Sequence, residues 1–466
     1  MQYHRRQGGF VKLFGLIFVL VLIGGGIFML SSDSFEKESP KISYKNPTIW
    51  NLKDSFFVGF TDDSGIREYS ISINDNGSKI PLELVKEEAT KCDIPVNTNN
   101  VCVSFKKPQQ VKSSNESLEL EVVAIDNSKW NFFSGNTTTE NIKITIDAKN
   151  PQVAIVAHSY KITQGGSALV VFRAVDDNLD SIQITNGQYI FKPQPFYKDG
   201  FYISLVAWDK GESTFDGKIE VKDKAGNVSI VPINFYLQKR QYRDSTIPLT
   251  DNFIDGKITS LTQEIGERDI SEFPNKVSLF KYINEEVRDY SFNRIYEVAS
   301  VYDRDSIVSD FKINPFAPLK NPAVMASFGD SRSFSYQGEI VSRSNHMGLD
   351  IASIKQAPVI SSNNGVVSLN EFVGIDGNAV VIYHGLGLST LYAHLTSSNV
   401  GVGDEVFSGD IIANTGATGL ALGDHLHFSV LIQGYEARTA EWMDKDWIRD
   451  NITDVILESK QIIDRL

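Results

Sequence analysis

An unbroken apolar run near the N-terminus restricts what this chain of 466 residues can fold into. Between Leu13 and Leu30 there is no charged residue, and Lys12 stands immediately before the run. A helix rises about 1.5 Å per residue, so this run would span roughly 27 Å, close to the thickness of a bilayer core. The sequence predicts a membrane-spanning helix over 13–30, preceded by a short basic tail over 1–12.

A retained anchor and a cleaved signal peptide are the two interpretations of this run. Signal peptides have apolar regions of about 7–15 residues, followed by small residues at the cleavage site. The run here is longer and ends without such residues. We therefore expect a single-pass anchor. Because Arg5 and Arg6 join Lys12 in a basic flank, we expect that flank in the cytoplasm and everything after Ser31 exported.

The overall composition favours folded domains and argues against a nucleic-acid partner. Apolar residues make up 41% and charged residues 22%, and the length suggests about three domains. The net charge of −13 disfavours binding to an anionic polymer. The two cysteines, Cys92 and Cys102, either form one disulfide in an exported domain or remain buried thiols. They are too few for a structural zinc site of four ligands.

Alternating apolar and polar residues predict short β-strands between residues 41 and 240. The pattern is clear at Ser70–Ile73 and Leu118–Val122, and Asn, Asp, Gly and Ser clusters separate such runs. The region also looks duplicated, because Val123–Asn127 is echoed by Val221–Asn227. The second of these segments resembles the closing hairpin of bacterial immunoglobulin-like domains. We predict two Ig-like β-sandwich modules, 41–148 and 149–240, joined to the anchor by a tether over 31–40.

After residue 240 the sequence pattern predicts a helical segment, then a β-sheet domain, and finally a helix. Apolar residues at helical spacing between Lys257 and Ser300, interrupted at Pro274, predict a helical connector or cap over 241–318. Short apolar runs punctuated by glycines then predict a small antiparallel β-sheet domain over 319–445, followed by a C-terminal helix over 446–466. The predicted fold class is multidomain and mainly β.

Five of the seven histidines fall within this glycine-rich segment. They occupy three short groups and one isolated position, namely His346 with Asp350, His394, His425 with His427, and His384. On a strand, side chains at i and i+2 face the same way, so both members of the His-x-His pair can point into one cleft. A single histidine in a β domain is usually structural, but three groups in one segment are not explained in that way.

Catalytic zinc requires three protein ligands, commonly histidine and carboxylate, and one open position. Two histidines and one aspartate would satisfy that requirement, and two further histidines could move protons. No Glu stands in an H-E-x-x-H arrangement, so the general base of that class of metalloprotease is absent.

Residues 323–430 resemble the lysostaphin/LytM-type zinc endopeptidases, over about a quarter of the chain. The resemblance is carried by these motifs: S-F-G at 327–329, H-M-G-L-D at 346–350, A-P-V at 357–359, N-G-V-V at 364–367, L-Y-A-H-L at 391–395, V-G-D-E-V at 402–406 and T-G-L-A-L-G-D-H-L-H-F at 418–428. The family usually has Ser-Thr where this chain has Ala421 and Leu422. That departure leaves the metal site intact but removes hydroxyl contacts to substrate.

The resemblance implies roles for five side chains and one bound Zn²⁺. The implied zinc ligands are His346, Asp350 and His427, and the implied catalytic residues are His394 and His425. Which of the two catalytic histidines is the general base stays open. His384 matches a turn position without a role at the metal and is expected to be structural. Asp424 points to the opposite face of the strand from His425 and is not expected to take part.

The resemblance also implies hydrolysis of peptide stems of peptidoglycan during cell wall remodelling. An anchored, exported, acidic chain suggests the inner membrane of a Gram-negative cell, with the C-terminal bulk in the periplasm. We therefore expect D-alanyl–diaminopimelate cross-links rather than pentaglycine bridges as the substrate. The expected partners are the peptide stems, the membrane and envelope proteins bound by the Ig-like modules.

Three alternatives remain at this point. The chain could be a catalytically silent adaptor that activates amidases, or a scaffold built around its β modules, although all five site positions are retained. The connector could block the site or act as a spacer. Blocking would occur either because the helices cover the groove or because a carboxylate of the connector occupies the open position of the zinc, the candidates being Glu264, Glu267, Asp269, Glu285, Glu286 and Asp289.

Overall fold

The computed structural model describes residues 7–44, 48–75, 78–112 and 116–466. Helix α1, Gln7–Ser31, contains the predicted span. Its segment Lys12–Ser31 is long and apolar enough to cross a membrane, judged by length and composition. Arg5 and Arg6, on which the predicted orientation depends, lie outside the described residues.

The chain divides into two compact units, residues 1–150 with 222–228, and residues 151–221 with 229–466. The first unit contains two sheets, with strand orders β1-β3-β7-β6 and β2-β9-β8-β4-β5. The strands are β1 Lys41–Tyr44, β2 Ile49–Trp50, β3 Phe56–Thr61, β4 Ile66–Asp75, β5 Ser78–Pro81, β6 Val85–Glu87, β7 Val101–Phe105, β8 Ser117–Asp126 and β9 Thr137–Ile146. Short helical turns lie at Asp33–Phe35, Ala89–Cys92 and Trp130–Phe133, the last being α2.

The alternation in β8 explains why this strand forms a face of the first core. Leu118, Leu120 and Val122 are buried, whereas the residues between them are more exposed. These side chains pack with Trp50 and Phe105. Cys92 and Cys102 form a disulfide, which settles the alternative left open by the sequence.

Strands β10 to β19 follow in the region of the second predicted module. Their bounds are β10 Gln152–His158, β11 Lys161–Thr163, β12 Ser167–Val175, β13 Leu179–Asn186, β14 Tyr189–Phe191, β15 Gln194–Pro195, β16 Phe201–Ala207, β17 Lys218–Asp223, β18 Val228–Pro232 and β19 Tyr236–Gln238. The sheet orders are β10-β12-β16-β15 and β14-β13-β17-β18, with a separate parallel pair β11-β19. The buried residues of β12 and β16 belong to one apolar cluster that continues into the C-terminal domain.

The connector is mainly helical but begins with a strand, which the sequence pattern did not predict. Strand β20, Asp244–Pro248, pairs in parallel with a strand of the C-terminal domain. The helices are α3 Asp251–Phe253, α4 Thr259–Ile265, α5 Lys276–Lys281 and α6 Arg288–Ala299, with π-helical turns at Ile254–Ile258 and Tyr282–Val287 and a 3₁₀ turn at Ile270–Glu272. Only five residues long and ended by proline, β20 is too short for its alternation to be recognised.

The C-terminal domain is built on an eight-stranded sheet with order β21-β24-β32-β28-β27-β26-β30, and β33 paired to β32. The strands are β21 Ala323–Ala326, β22 Asp330–Tyr336, β23 Glu339–His346, β24 Leu349–Ala352, β25 Pro358–Ile360, β26 Gly365–Val373, β27 Gly377–Gly385, β28 Leu388–Leu395, β29 Ser397–Ser398, β30 Glu405–Val406, β31 Ile411–Asn414, β32 Leu426–Ile432 and β33 Tyr435–Ala437. Two smaller sheets, β20-β22-β23 and β25-β31-β29, flank it.

The interior position of β28 explains its composition, because every residue of this strand is buried. A 3₁₀ turn, Gly374–Asp376, separates β26 from β27. The chain ends in helices α7 Thr439–Trp442, α8 Lys445–Ile448 and α9 Asp454–Ile463, with a π-helical turn at Arg449–Thr453.

Candidate metal centre and active-site cavity

Three strands bring the predicted metal ligands together. Asp350 on β24 stands directly opposite His427 on β32, and His346 ends β23 just before β24 begins. Gly348 lies between them with its backbone against the His427 ring. A Cβ atom at that position would lie 2.4 Å from the ring, so the close approach requires glycine.

The three side chains converge on one point. Asp350 Oδ1 lies 2.9 Å from His346 Nε2 and 2.8 Å from His427 Nδ1, and the two ring nitrogens are 3.1 Å apart. A tetrahedral zinc site with bonds of about 2.0–2.2 Å would hold such atoms roughly 3.3–3.5 Å apart. Small outward shifts would therefore accommodate the ion, and two nitrogens with one carboxylate oxygen are donors that zinc accepts. These residues can hold a metal ion.

Hydrogen bonds fix which ring nitrogen of each ligand is available. His346 Nδ1 donates to the carbonyl of Ser327 at 3.0 Å, which leaves Nε2 as the donor atom for a metal. His427 Nε2 donates to Ser429 Oγ at 3.0 Å, which leaves Nδ1. The Ser429 hydroxyl donates in turn to the carbonyl of Met347. Such outer partners orient a ligand and raise its basicity.

The charges in the cluster favour the ligating forms of Asp350 and His346. Burial alone would raise the pKa of Asp350, but the adjacent His346 and His427 rings hold that pKa well below its ordinary value. Burial lowers the pKa of His346. Asp350 is therefore a carboxylate and His346 a neutral imidazole at neutral pH, as metal binding requires. For His427, burial acts to lower the pKa, but the hydrogen bond and charge of Asp350 outweigh it and raise that pKa, so a metal ion would compete with a proton there.

His394 lies beside this cluster in an uncommon backbone conformation. Its φ is +62°, and the register between β27 and β28 shifts on either side of it. The bulge turns the side chain toward the cluster instead of leaving it in strict alternation. Its Nδ1 donates to the carbonyl of Thr418 at 2.9 Å. Burial, and then the charges of His427 and His425, lower the pKa of His394 well below its ordinary value.

His425 completes the group from the other side. Its ring centroid is 4.8 Å from that of His394, and its Nε2 lies 3.7 Å from Asp350 Oδ1. Its Nδ1 donates to the carbonyl of Gly423 at 2.7 Å, which leaves Nε2 free to accept a proton. All five residues singled out in the sequence thus meet at one site, and the division into ligands and catalysts remains a prediction.

Two further polar residues near the motifs, His384 and Asp424, lie outside this cluster and form hydrogen bonds elsewhere. His384 is bonded to the carbonyl of Asn364 and to Thr390 Oγ1, both at 2.8 Å. Burial lowers the pKa of His384 to about 4. The Asp424 carboxylate accepts from the Gln356 amide and the Thr415 hydroxyl. These contacts fit structural roles.

The cluster opens into a cavity of about 1110 Å³. Part of its lining comes from the connector, through residues 240–247 and the start of α6. Charged residues not identified from the sequence also line it, namely Arg240, Arg243, Arg288, Asp330, Arg332, Asp376, Glu436 and Arg438. No motif marks these positions, because they come from separate elements brought together by the fold.

The substitution of Ala421 and Leu422 for the family's Ser-Thr changes one rim of the cavity. Ala421 is buried, whereas Leu422 is 83% exposed. The rim therefore presents an apolar side chain at a position where the family motif usually has a hydroxyl group.

The connector carboxylates make contacts of several kinds. Glu285 accepts from Ser342 Oγ, Asp269 caps the turn that follows it, and Glu286 pairs with Arg268. Of the six carboxylates proposed as blockers, Asp289 lines the cavity. The connector therefore contributes a wall to the site.

The clustered residues lie in a part of the chain that is similar to known peptidases. Residues 344–438 match the model of Peptidase family M23, a stretch that contains all five clustered residues. DD-carboxypeptidase/endopeptidase Mpg of Neisseria meningitidis serogroup B is 40% identical over 89 residues, or 19% of this chain and 20% of Mpg. Peptidoglycan DD-endopeptidase ShyB of Vibrio cholerae is 31% identical over 173 residues, or 37% of this chain and 39% of ShyB.

Among solved structures, a putative peptidase M23 from Pseudomonas aeruginosa is 18% identical, with a TM-score of 0.34. That match covers 61% of this chain and 95% of the solved chain. This chain thus spans between about a fifth and two fifths of the two curated relatives described above.

Proposed function

We propose that this chain, which carries a Peptidase M23 domain of the LytM type in its C-terminal part, is a membrane-anchored zinc metalloendopeptidase that hydrolyses peptide cross-links of peptidoglycan. The observation that carries the proposal is the convergence of His346, Asp350 and His427 on one point beside two further histidines. Three ligands leave one position open, which distinguishes a catalytic site from a structural one.

The residues of the chain supply proton transfer and orientation. A bound zinc ion would make a water molecule more acidic and polarise the scissile carbonyl. His394 and His425 each donate through Nδ1 to a backbone carbonyl, so Nε2 of each ring is the atom that accepts or returns a proton. Burial keeps the His394 ring neutral, the form that can accept a proton, and the same burial makes it a weaker base. His425 would then protonate the leaving amine or stabilise the oxyanion.

The substrate we propose is the D-alanyl–diaminopimelate cross-link. The names of the two relatives, a DD-carboxypeptidase/endopeptidase and a peptidoglycan DD-endopeptidase, support this class of bond. Five arginines line the cavity beside six carboxylates, so it offers individual cationic groups with which a carboxylate of a peptide stem could pair. In this cross-link the carbon attached to the scissile nitrogen bears a free carboxylate, whereas an ordinary peptide chain continues there as an amide.

The setting we propose is the inner membrane, with α1 as a single-pass anchor and the remainder in the periplasm. The length and apolar composition of Lys12–Ser31 support the anchor, and the disulfide between Cys92 and Cys102 supports an oxidising compartment. The β-rich region over 41–240 would act as two Ig-like modules that offer surfaces to envelope proteins.

Metal removal and replacement would test the proposal. The purified chain would be stripped with a chelator, reloaded with increasing zinc, and incubated with purified muropeptides. We expect cross-linked dimers to disappear in proportion to zinc, up to one ion per chain. A chain that leaves dimers intact at full zinc loading, but stimulates an added amidase, would be the silent adaptor instead.

A further inference from the structure

Helix α6 is held tightly against the rim of the active-site cavity. Ser291 Oγ accepts from the backbone N–H of Ile375 at 3.0 Å and donates to the carbonyl of Val287. A Cβ atom on Gly374 would lie 2.5 Å from that hydroxyl oxygen. Helix α6 therefore approaches the 3₁₀ turn Gly374–Asp376 closely. Arg288 stands three residues before Ser291 and thus on the same helix face. It lines the cavity beside this turn.

The Arg288 guanidinium is oriented but has no ionic partner in the described chain. Its Nε donates to the backbone carbonyl of Asn284 at 3.0 Å and one Nη2 hydrogen to Asn284 Oδ1 at 2.9 Å. Asn284 is itself buried and bonded to Ser342 Oγ. These bonds use two of the five N–H donors, and both acceptors are neutral. Among the described residues, no carboxylate lies within ion-pair distance of Arg288.

The surroundings leave this positive charge poorly compensated. Burial lowers the pKa of Arg288 to about 10, so the group remains charged at neutral pH. The neighbouring acids on this side are Asp376, Glu436 and Asp289, and Arg332 adds a second positive charge. Burial raises the pKa of Asp376, and burial followed by repulsion from Asp376 raises the pKa of Glu436 to about 8. Arg288 is half-buried and has no carboxylate within ion-pair distance among the described residues, so an incoming carboxylate would supply the missing partner.

We propose that Arg288 binds the free carboxylate next to the scissile bond of the substrate and is therefore a specificity-determining residue. The inference deepens the proposed function and rests on it. In a D-alanyl–diaminopimelate cross-link, the carbon attached to the scissile nitrogen bears a free carboxylate, whereas an ordinary peptide continues there as an amide. A guanidinium with its outer N–H groups free matches a carboxylate in a two-pronged arrangement.

Two synthetic cross-linked dimers that differ in one group would test this assignment. One carries the free carboxylate beside the scissile bond, and the other carries a carboxamide there. With the zinc-loaded full chain, we expect kcat/KM to be about tenfold or more higher for the carboxylate dimer. In Arg288→Gln the ratio of the two kcat/KM values should fall close to one. Only the kcat/KM for the carboxylate dimer should decrease, mainly through a higher KM.

A matched control comes from the same helix. Arg294 pairs with Glu371 and does not line the cavity, so Arg294→Gln should keep the wild-type ratio. Arg288→Lys retains the charge without the two-pronged geometry, and we expect an intermediate ratio. It also provides a second variant if Arg288→Gln does not fold.

The outcomes separate this inference from the proposed function. Cleavage of both dimers at equal rates by the wild-type chain would overturn the role of Arg288 while leaving the endopeptidase proposal standing. Equal losses on both dimers in Arg288→Gln would show a merely structural residue. Failure of the zinc-loaded wild-type chain to cleave either dimer would overturn both.

Discussion

Ser429 illustrates what individual residues contribute beyond the motif itself. It lies two positions after His427 on the same strand and is fully buried. Because residues at i and i+2 share a face, its hydroxyl accepts the ring proton that would otherwise compete with metal binding. The family resemblance predicts the ligands, but serine at this position carries no signal that distinguishes it from other strand residues.

Replacing Ser429 with alanine should weaken metal binding without removing a ligand. The His427 ring would lose the acceptor that fixes its tautomer, so we expect zinc affinity to fall about 10- to 100-fold. Competition with a chromogenic chelator would measure the change. Ser389→Ala is the matched control, because Ser389 is equally buried and its hydroxyl has no hydrogen-bond partner in the described structure. Unchanged affinity in Ser429→Ala would contradict the orienting role.

The two histidines beside the cluster should separate catalysis from binding. His394→Ala and His425→Ala should each keep one zinc per chain and lose about 10²- to 10⁴-fold in turnover, because proton transfer is removed. Elemental analysis and kinetics on the same preparations would measure both quantities. His384→Gln should keep metal and turnover, since His384 makes its bonds away from the cluster. A near-normal rate in either alanine variant would identify that residue as a bystander.

Among the elements, strands with regular alternation could be predicted and irregular ones could not. The pattern of β8 reappears directly in its burial. Of the His-x-His pair, His427 lies on β32 and His425 immediately precedes that strand. By contrast, the bulge at His394 and the pairing of β20 with β22 result from tertiary contacts. Local preferences do not specify a positive φ at histidine or a five-residue strand inside a helical region.

Glu441 joins two elements that are distant in sequence and predicts a pH effect on stability. Its carboxylate is 2% exposed and accepts from the backbone N–H of Ser167 at 2.9 Å. Arg438 lies 3.6 Å away, and the neighbouring Trp442 bonds to the Ser167 hydroxyl. Burial raises the pKa of Glu441 from 4.5 to about 7. The folded state therefore holds a proton that the unfolded chain releases between these two pH values.

The free energy of unfolding should consequently fall as pH rises from about 4.5 to about 7, by on the order of 3 kcal/mol from this group. Glu441→Gln keeps an acceptor for Ser167 but cannot ionise, so that part of the decline should disappear. Unfolding measured across this pH range would compare the two proteins. Glu458→Gln, on the exposed side of α9, is the control. Identical pH profiles for wild type and Glu441→Gln would contradict the prediction.

At the scale of the whole molecule, the connector could either block the active site or form part of it. A blocking connector and a connector that forms part of the binding site predict opposite effects of removing it. Its apolar core includes Phe280 and Ile283 and packs on Phe334 of the C-terminal domain. It also positions Arg288 in the cavity wall. These contacts favour a connector that completes the substrate site.

Deleting the chain before Asn321 should therefore reduce activity on cross-linked dimers instead of releasing it. The fragment would lose one cavity wall and its preference for a carboxylate dimer, and we expect a lower kcat/KM at equal zinc content. Circular dichroism would establish that the fragment is folded. A folded fragment that is faster than the whole chain would support blocking, with each tenfold gain corresponding to ~1.4 kcal/mol of closure free energy.

Hydrolysis of a defined D-alanyl–diaminopimelate dimer in water enriched in oxygen-18 tests most directly whether the site is a peptidoglycan endopeptidase. The zinc-loaded chain should yield two monomers, with heavy oxygen only in the new D-alanine carboxylate, at a rate proportional to bound zinc. His427→Ala should yield none and bind no stoichiometric zinc. An intact dimer in the presence of one zinc per wild-type chain, or cleavage at any other bond, would contradict the account.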